Sequence, residues 1–292
     1  MNAALLGFVA VVCAGGISFA ANDAAPVVPA PVAVPYAEAK KAMDAGDFAA
    51  AAKGLEEALN SIEPGTDGIN LLRLALGNAW LRAGEYAKAI APLEIVSTSD
   101  ATVFPLLGDA LRGAGRFEDA RRAYERAADG DSLNARYSRA RISELAGAAE
   151  VDQAAALELF FNAADAFAAL GADDAVYFDE AAKLYESIIR NRKWRGEATA
   201  RAIYSMGELE RVRKRLPEAI AYYQRCFVTW MRYPKWCALS YMRASECFEA
   251  LGRRPEAMAH LRELVRKADK YGKFPEFNEA KNRLRAWGDV VP

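Results

Sequence analysis

Residues 106–128, LLGDALRGAGRFEDARRAYERAA, decide the fold. Leu107, Gly108 and Leu111 fall on one face at helical spacing, and Ala120, Tyr124 and Ala127 resume that spacing after Gly115 and Phe117. A small residue such as Gly108 lets a paired helix approach closely, while a ring such as Tyr124 fills the space between layers. Gly115 supplies the left-handed backbone that ends the first helix. The segment therefore reads as two antiparallel helices joined by a tight turn.

The same plan recurs along the chain. LALGNAWLRAGEYAKAIAPLEIV carries Leu76, Gly77 and Trp80, then Gly84 and Tyr86, then Ala89, Leu93 and Val96. SMGELERVRKRLPEAIAYYQRCF carries Met206, Gly207 and Glu210, then Leu216, Ala219, Tyr223 and Cys226. ASECFEALGRRPEAMAHLREL gives Ala244, Ser245 and Phe248, then Gly252, Ala257, Leu261 and Leu264, and AMDAGDFAAAAKGLEEAL keeps Ala42, Gly46, Phe48, Ala51, Leu55 and Ala58. Gly46, Gly84 and Gly115 are spaced 38 and 31 residues apart, and Ala219 and Ala257 are 38 apart. These residues resemble the tetratricopeptide repeat, whose period is about 34 residues. The expected fold is all-α: an α-solenoid of six to seven antiparallel helix pairs, about fourteen helices, with Pro275 to Trp287 as a C-terminal capping helix.

The expected domain plan has five parts. Residues 1–20, MNAALLGFVAVVCAGGISFA, carry no charged side chain and end in Ser18-Phe19-Ala20, a small-x-small site suited to signal peptidase. They read as an export signal, with an uncleaved membrane anchor as the alternative. Residues 21–35 hold four prolines among Ala and Val and read as an extended linker. Residues 36–131 form N-terminal repeats, 132–192 degenerate helical repeats whose register breaks near Gly147 to Gln153, and 193–292 C-terminal repeats with the cap. The expected location is the periplasm.

A net charge of −1 conceals an asymmetry: 15 Lys/Arg face 27 Asp/Glu up to Ile189, a net −12, and 23 face 12 from Arg190 onward, a net +11. Solvated faces account for this; an anionic glycan or lipid at the basic third, or contact between the acidic body and the basic end of two copies, are the sharper readings. Nucleic acid is disfavoured by the export signal. Once the leader is removed, Cys226, Cys237 and Cys247 remain. Cys237 and Cys247 would stand about 15 Å apart on one helix, so any bridge within the chain uses Cys226; three buried thiols are the other reading.

Little here proposes catalysis. His260 is the only histidine, no Gly-x-Ser-x-Gly elbow exists, and no phosphate-binding glycine loop follows a strand. Asp173 and Asp174 read as helix N-terminal acids rather than a glycosidase pair. No cofactor, metal or enzyme activity is expected. The resemblance instead implies a groove lined by the first helix of each pair, with Leu71, Leu74, Asn78, Arg82, Asp109, Arg112, Arg201, Tyr204, Glu208, Arg211, Met242 and Glu246 toward a protein or peptide partner. Asn78 matches the asparagine of arrays that clamp a C-terminal carboxylate, but Leu74 stands where their first lysine belongs. The function implied is a non-enzymatic scaffold in a cell-envelope complex; a self-associating structural protein and an accessory subunit of an envelope enzyme are the alternatives.

One stretch, FVTWMRYPKWC (227–237), fits either a joint or a recognition surface. The repeat register makes Phe227 and Trp230 the end of one second helix, Pro234 its terminator or last turn, and Lys235, Trp236 and Cys237 the opening of the next first helix, with Trp236 a packing ring echoed by Trp194. Trp230, Arg232 and Tyr233 are left as a linker edge able to meet a ligand.

Overall fold

The computed structural model describes residues 10–11, 18–19 and 28–290. Two two-residue strands, β1 (Ala10–Val11) and β2 (Ser18–Phe19), pair antiparallel, with Ala10 opposite Phe19. The rest of residues 1–20, Cys13 included, and most of the Pro-rich segment lie outside the described residues.

The protein is all-α, built as a solenoid of helix pairs. The elements are α1 (Ala30–Asp44), α2 (Phe48–Ser61), α3 (Ile69–Arg82), α4 (Tyr86–Ser97), α5 (Phe104–Gly113), α6 (Phe117–Glu125) and α7 (Leu133–Ala149). They continue with α8 (Gln153–Leu170), α9 (Tyr177–Arg190), α10 (Glu197–Val212), α11 (Leu216–Thr229), α12 (Pro234–Ala250), α13 (Arg254–Arg266), α14 (Ala268–Tyr271) and α15 (Pro275–Ala286). The chain forms two compact units. One comprises the residues up to Ala146 with Ala169–Tyr177, and the other Gly147–Ala168 with everything from Phe178 onward.

The turns within pairs share one backbone solution. Gly46, Gly84, Gly115 and Gly252 have φ between +73° and +82°. The residue after each sends its N–H back five residues: Asp47 to Ala42, Glu85 to Trp80, Arg116 to Leu111 and Arg253 to Phe248. This closes the exposed carbonyls of the helix end. Between α10 and α11 the same bond joins Arg215 to Glu210, but Lys214 holds the left-handed position at φ 64°. A side chain there costs about 1 kcal/mol relative to glycine.

Two expectations fail at prolines. The extended linker does not reach residue 35, because α1 begins at Ala30 and contains Pro31 and Pro35. Pro31 sits in the first turn, where no intrahelical N–H is needed. Val32 is fully buried, filling the space that Gly68 leaves open at the start of α3. Burial there outweighs the proline's local preference. Pro234 does not end α11, which stops at Thr229; it opens α12 in the position where a missing N–H is harmless.

Candidate functional site

A two-residue signature on five of the helices builds the polar centre of the repeat. It is a small residue followed by an acid or amide: Gly77-Asn78 on α3, Gly108-Asp109 on α5, Ala164-Asp165 on α8, Gly207-Glu208 on α10 and Ser245-Glu246 on α12. A Cβ at Gly77 would lie 2.5 Å from Leu93, one at Gly108 2.5 Å from Tyr124, and one at Gly207 2.5 Å from Tyr223. That closeness brings a tyrosine hydroxyl onto the adjacent acid. Tyr124 donates to Asp109, Tyr185 to Asp165 and Tyr223 to Glu208, each at 2.5 Å. On α4 the ring position is Leu93, which has no hydroxyl, and the buried Asn78 Oδ1 has no hydrogen-bond partner among the described residues.

In the first unit this position is sealed. Asp109 is 7% exposed and also accepts from Tyr137 at 2.7 and 2.9 Å. Arg141, 2% exposed, donates to the Tyr137 hydroxyl at 2.9 Å and to Glu144 at 2.6 Å. Arg112 stands 4.0 Å from Asp109 and 3.8 Å from Glu144. Asp109 and Arg141 thus meet inside the core, while Arg112 and Glu144, 29% and 20% exposed, close the cluster at its rim. Burial pushes the Asp109 carboxyl above the usual aspartate range, and Arg141 and Arg112 pull it only partly back. Both tyrosine hydroxyls are held well above their ordinary range, first by burial.

In the second unit the same position opens into a ladder. Glu208 bonds Arg211 at 2.8 Å and lies 3.4 Å from Arg243 Nε, while Arg243 bonds Glu246 at 2.8 Å. Arg283 of α15 reaches Glu246 at 3.2 Å and Glu249 at 2.8 Å. The six side chains are 25% to 36% exposed, and their charges balance. Tyr204 packs beside them, 5.9 Å from Tyr223 and 5.7 Å from Trp236 between ring centres.

The structure divides the expected groove set. Leu71, Leu74, Asn78, Asp109 and Met242 are buried, so they do not line an open surface. α3 packs against α1, α2, α4 and α5, and α12 against α10, α11 and α13 to α15, which leaves Leu71, Leu74, Asn78 and Met242 no solvent face, while Tyr137 and Arg141 of α7 cover Asp109. Arg82 lies over the Phe48 ring at 4.1 Å. Arg201 covers Phe161 at 3.8 Å and pairs with Asp165 at 3.1 Å. Arg112 joins the sealed cluster, and only Tyr204, Glu208, Arg211 and Glu246 come together on the ladder. Sequence reasoning missed Arg243 and Arg283. Arg243 had a legible signal, since Glu246 follows it at i+3 on the same helix face.

At the joint, Trp230, Tyr233 and Trp236 pack on Ala200, Ile203 and Cys226, and the Trp236 indole N–H points to Glu197 at 3.3 Å. Arg232 is exposed. Cys226, Cys237 and Cys247 are free, buried thiols. The Cys226 thiol donates to the Ala200 carbonyl at 3.7 Å and the Cys237 thiol to the Trp230 carbonyl at 3.4 Å; the proximity of the two thiols raises the pKa of Cys226 and lowers that of Cys237. Burial pushes Cys247 up to about 11. His260 binds the Glu256 carbonyl through Nδ1 at 2.8 Å and stacks among Phe227, Tyr241 and Phe248. Among the described residues no three His, Cys, Asp or Glu side chains cluster as metal ligands, and no helix is long and apolar enough to cross a membrane.

Family models agree with this architecture. Residues 33–147 match the model of a tetratricopeptide repeat-like domain, and residues 177–226 and 239–270 match tetratricopeptide repeat models. No curated protein matches significantly. Similar solved structures include a tetratricopeptide repeat protein from Parabacteroides merdae, at 17% identity over 88% of this chain and 98% of that one, TM-score 0.41. Another is the TPR2AB domain of yeast Sti1 in complex with pHSP90, at 17% identity over 86% and 96%, TM-score 0.33. A third is a Rap protein complexed with competence and sporulation factor, at 13% identity over 89% and 83%, TM-score 0.36. On its repeated helix pairs and the three family-model matches, the chain belongs to the tetratricopeptide-repeat family.

Proposed function

We propose that this chain is a non-enzymatic scaffold that binds a protein or peptide partner along the first-helix face of its second unit. Tetratricopeptide arrays in general mediate protein–protein interaction and are non-enzymatic. The observation that carries the reading is the partly exposed ladder of Glu208, Arg211, Arg243, Glu246, Glu249 and Arg283. Balanced charges with solvent-facing donors and acceptors suit hydrogen bonding to an extended or helical segment, and they give orientation more than bulk attraction. Tyr204 adds apolar surface at one end.

The uncharged leader-like segment at residues 1–20 supports placing this partner in the cell envelope, and fractionation of the native cell tests that placement. Binding is tested with a photo-crosslinking amino acid at position 211 or 246, and at the exposed position 221 on α11 as control. Adducts to one defined partner are expected from 211 and 246, absent from 221, and lost when Arg243→Glu reverses the ladder's centre. Equal adducts from all three positions, or none, contradict the assignment.

A further inference from the structure

The second unit has a different surface, at the joints between repeats. The α9–α10 joint (191–196) and the α11–α12 joint (229–236) abut: the Tyr233 hydroxyl lies 3.0 Å from where a Gly196 Cβ would stand, and Trp236 reaches Glu197. Within these joints stand five cations, Arg192, Lys193, Arg195, Arg232 and Lys235, and no acid. All five are exposed, and none has an ion-pair partner among the described residues. Most other basic side chains of this unit are paired with a carboxylate, as Arg190, Arg213 and Arg266 are. Beside the free cations, Val228 is 63% and Met231 50% exposed.

We propose that this edge docks the protein on an anionic phospholipid bilayer. Lysine and arginine near such a surface each contribute about a fivefold gain in partitioning, and exposed aliphatic side chains enter the headgroup–acyl boundary. Single-stranded nucleic acid would need free ring faces to stack on. Here the rings are already used: Trp194 packs on Phe160 at 5.3 Å, Trp236 on Tyr204, and Trp230 on Tyr233 at 6.3 Å. A second copy would have to offer free acids, yet many acids of the first unit are held by their own neighbours. Asp44 pairs with Lys40, Glu85 with Lys88, Asp119 with Arg116, and Glu118 and Glu125 with Arg121. The bilayer takes both the charges and the aliphatic tips.

Vesicle flotation tests this with the full chain. Vesicles of phosphatidylcholine are compared with vesicles containing about 30% phosphatidylglycerol, at roughly 0.05 M and roughly 0.5 M salt. Binding is expected only to the anionic vesicles at low salt. The quintuple variant Arg192→Gln, Lys193→Gln, Arg195→Gln, Arg232→Gln, Lys235→Gln should lose at least about 100-fold in partitioning, and Met231→Ser about threefold, with unchanged circular dichroism. Three results overturn the proposal: binding to neutral vesicles as well, full retention by the quintuple variant, or no binding. Tighter binding to single-stranded DNA at equal phosphate, or low-salt self-association abolished in the quintuple variant, assigns the edge elsewhere and also overturns it. Crosslinks from positions 211 and 246 survive the quintuple variant, so failure here is separate from failure of the groove reading.

Discussion

Asp109 and Glu208 occupy the same place in their repeats, each next to a glycine and each accepting a tyrosine hydroxyl at 2.5 Å, yet they do different work. Around Asp109, Tyr137 and Arg141 of α7 close the position off, so the acid becomes part of the core. Around Glu208, the neighbouring first helix supplies Arg243, which reaches the acid along the surface and leaves it about one quarter exposed. One repeat signature thus yields a buried brace where α7 lays Tyr137 and Arg141 over the acid, and a partly exposed ladder where α12 reaches the acid through Arg243. Removing a partner from a buried ion cluster is costly, because the remaining charge stays desolvated; removing one from a half-exposed ladder costs little, because water replaces it.

The largest expected difference between the two regions is at the arginines. Arg141→Ala should destabilise the first unit by about 3–5 kcal/mol, and Arg243→Ala the second by less than about 1 kcal/mol, by urea denaturation. Equal losses would erase the distinction. At the joint, Trp236→Ala should cost about 1–2 kcal/mol, since its half-buried ring packs on Tyr204, whereas Arg232→Ala should stay within about 0.5 kcal/mol. The reverse order would make the joint a binding edge alone.

The contrast also has a pH signature. Burial raises the folded-state Asp109 carboxyl above its unfolded value, so the folded protein binds its proton more tightly. Its contribution to stability is fully present below the unfolded aspartate range and is lost as pH rises through the folded value. The stability difference between wild type and Asp109→Asn should therefore shrink as pH rises through that window; growth of the difference with pH would contradict a raised carboxyl. The smallest effect is expected at Asn78, whose buried Oδ1 lacks a partner. Asn78→Leu removes an unsatisfied polar group and should be neutral or stabilising by up to about 1 kcal/mol in thermal unfolding.

How much of this was legible depends on whether the signal is local. The Gly108–Tyr124 and Gly207–Tyr223 spacings and the turn glycines are short-range patterns, and the helix pairs follow from them directly. Lys214 shows the limit of that logic: the turn bond from Arg215 to Glu210 forms without a glycine to announce it. α1 shows another, since Val32 is drawn into a helix by burial against Gly68, which no proline count foretells. The expected groove erred most at Leu71, Leu74, Asn78, Asp109 and Met242. Helical period places these residues on a face, but only neighbours distant in sequence decide whether that face stays open. Tyr137 covers Asp109 from 28 residues away, and Arg283 completes the ladder from 37 residues beyond Glu246.

Asp109→Ala and Glu208→Ala, compared by equilibrium urea unfolding with hydrogen exchange to assign each loss to its unit, test the central contrast most directly. The prediction is a loss of about 3–5 kcal/mol confined to the first unit for Asp109→Ala, and of about 1 kcal/mol or less in the second for Glu208→Ala. Losses of equal size, or a larger loss at Glu208, would show that the ladder is a structural brace like the Asp109 cluster and not an open recognition face.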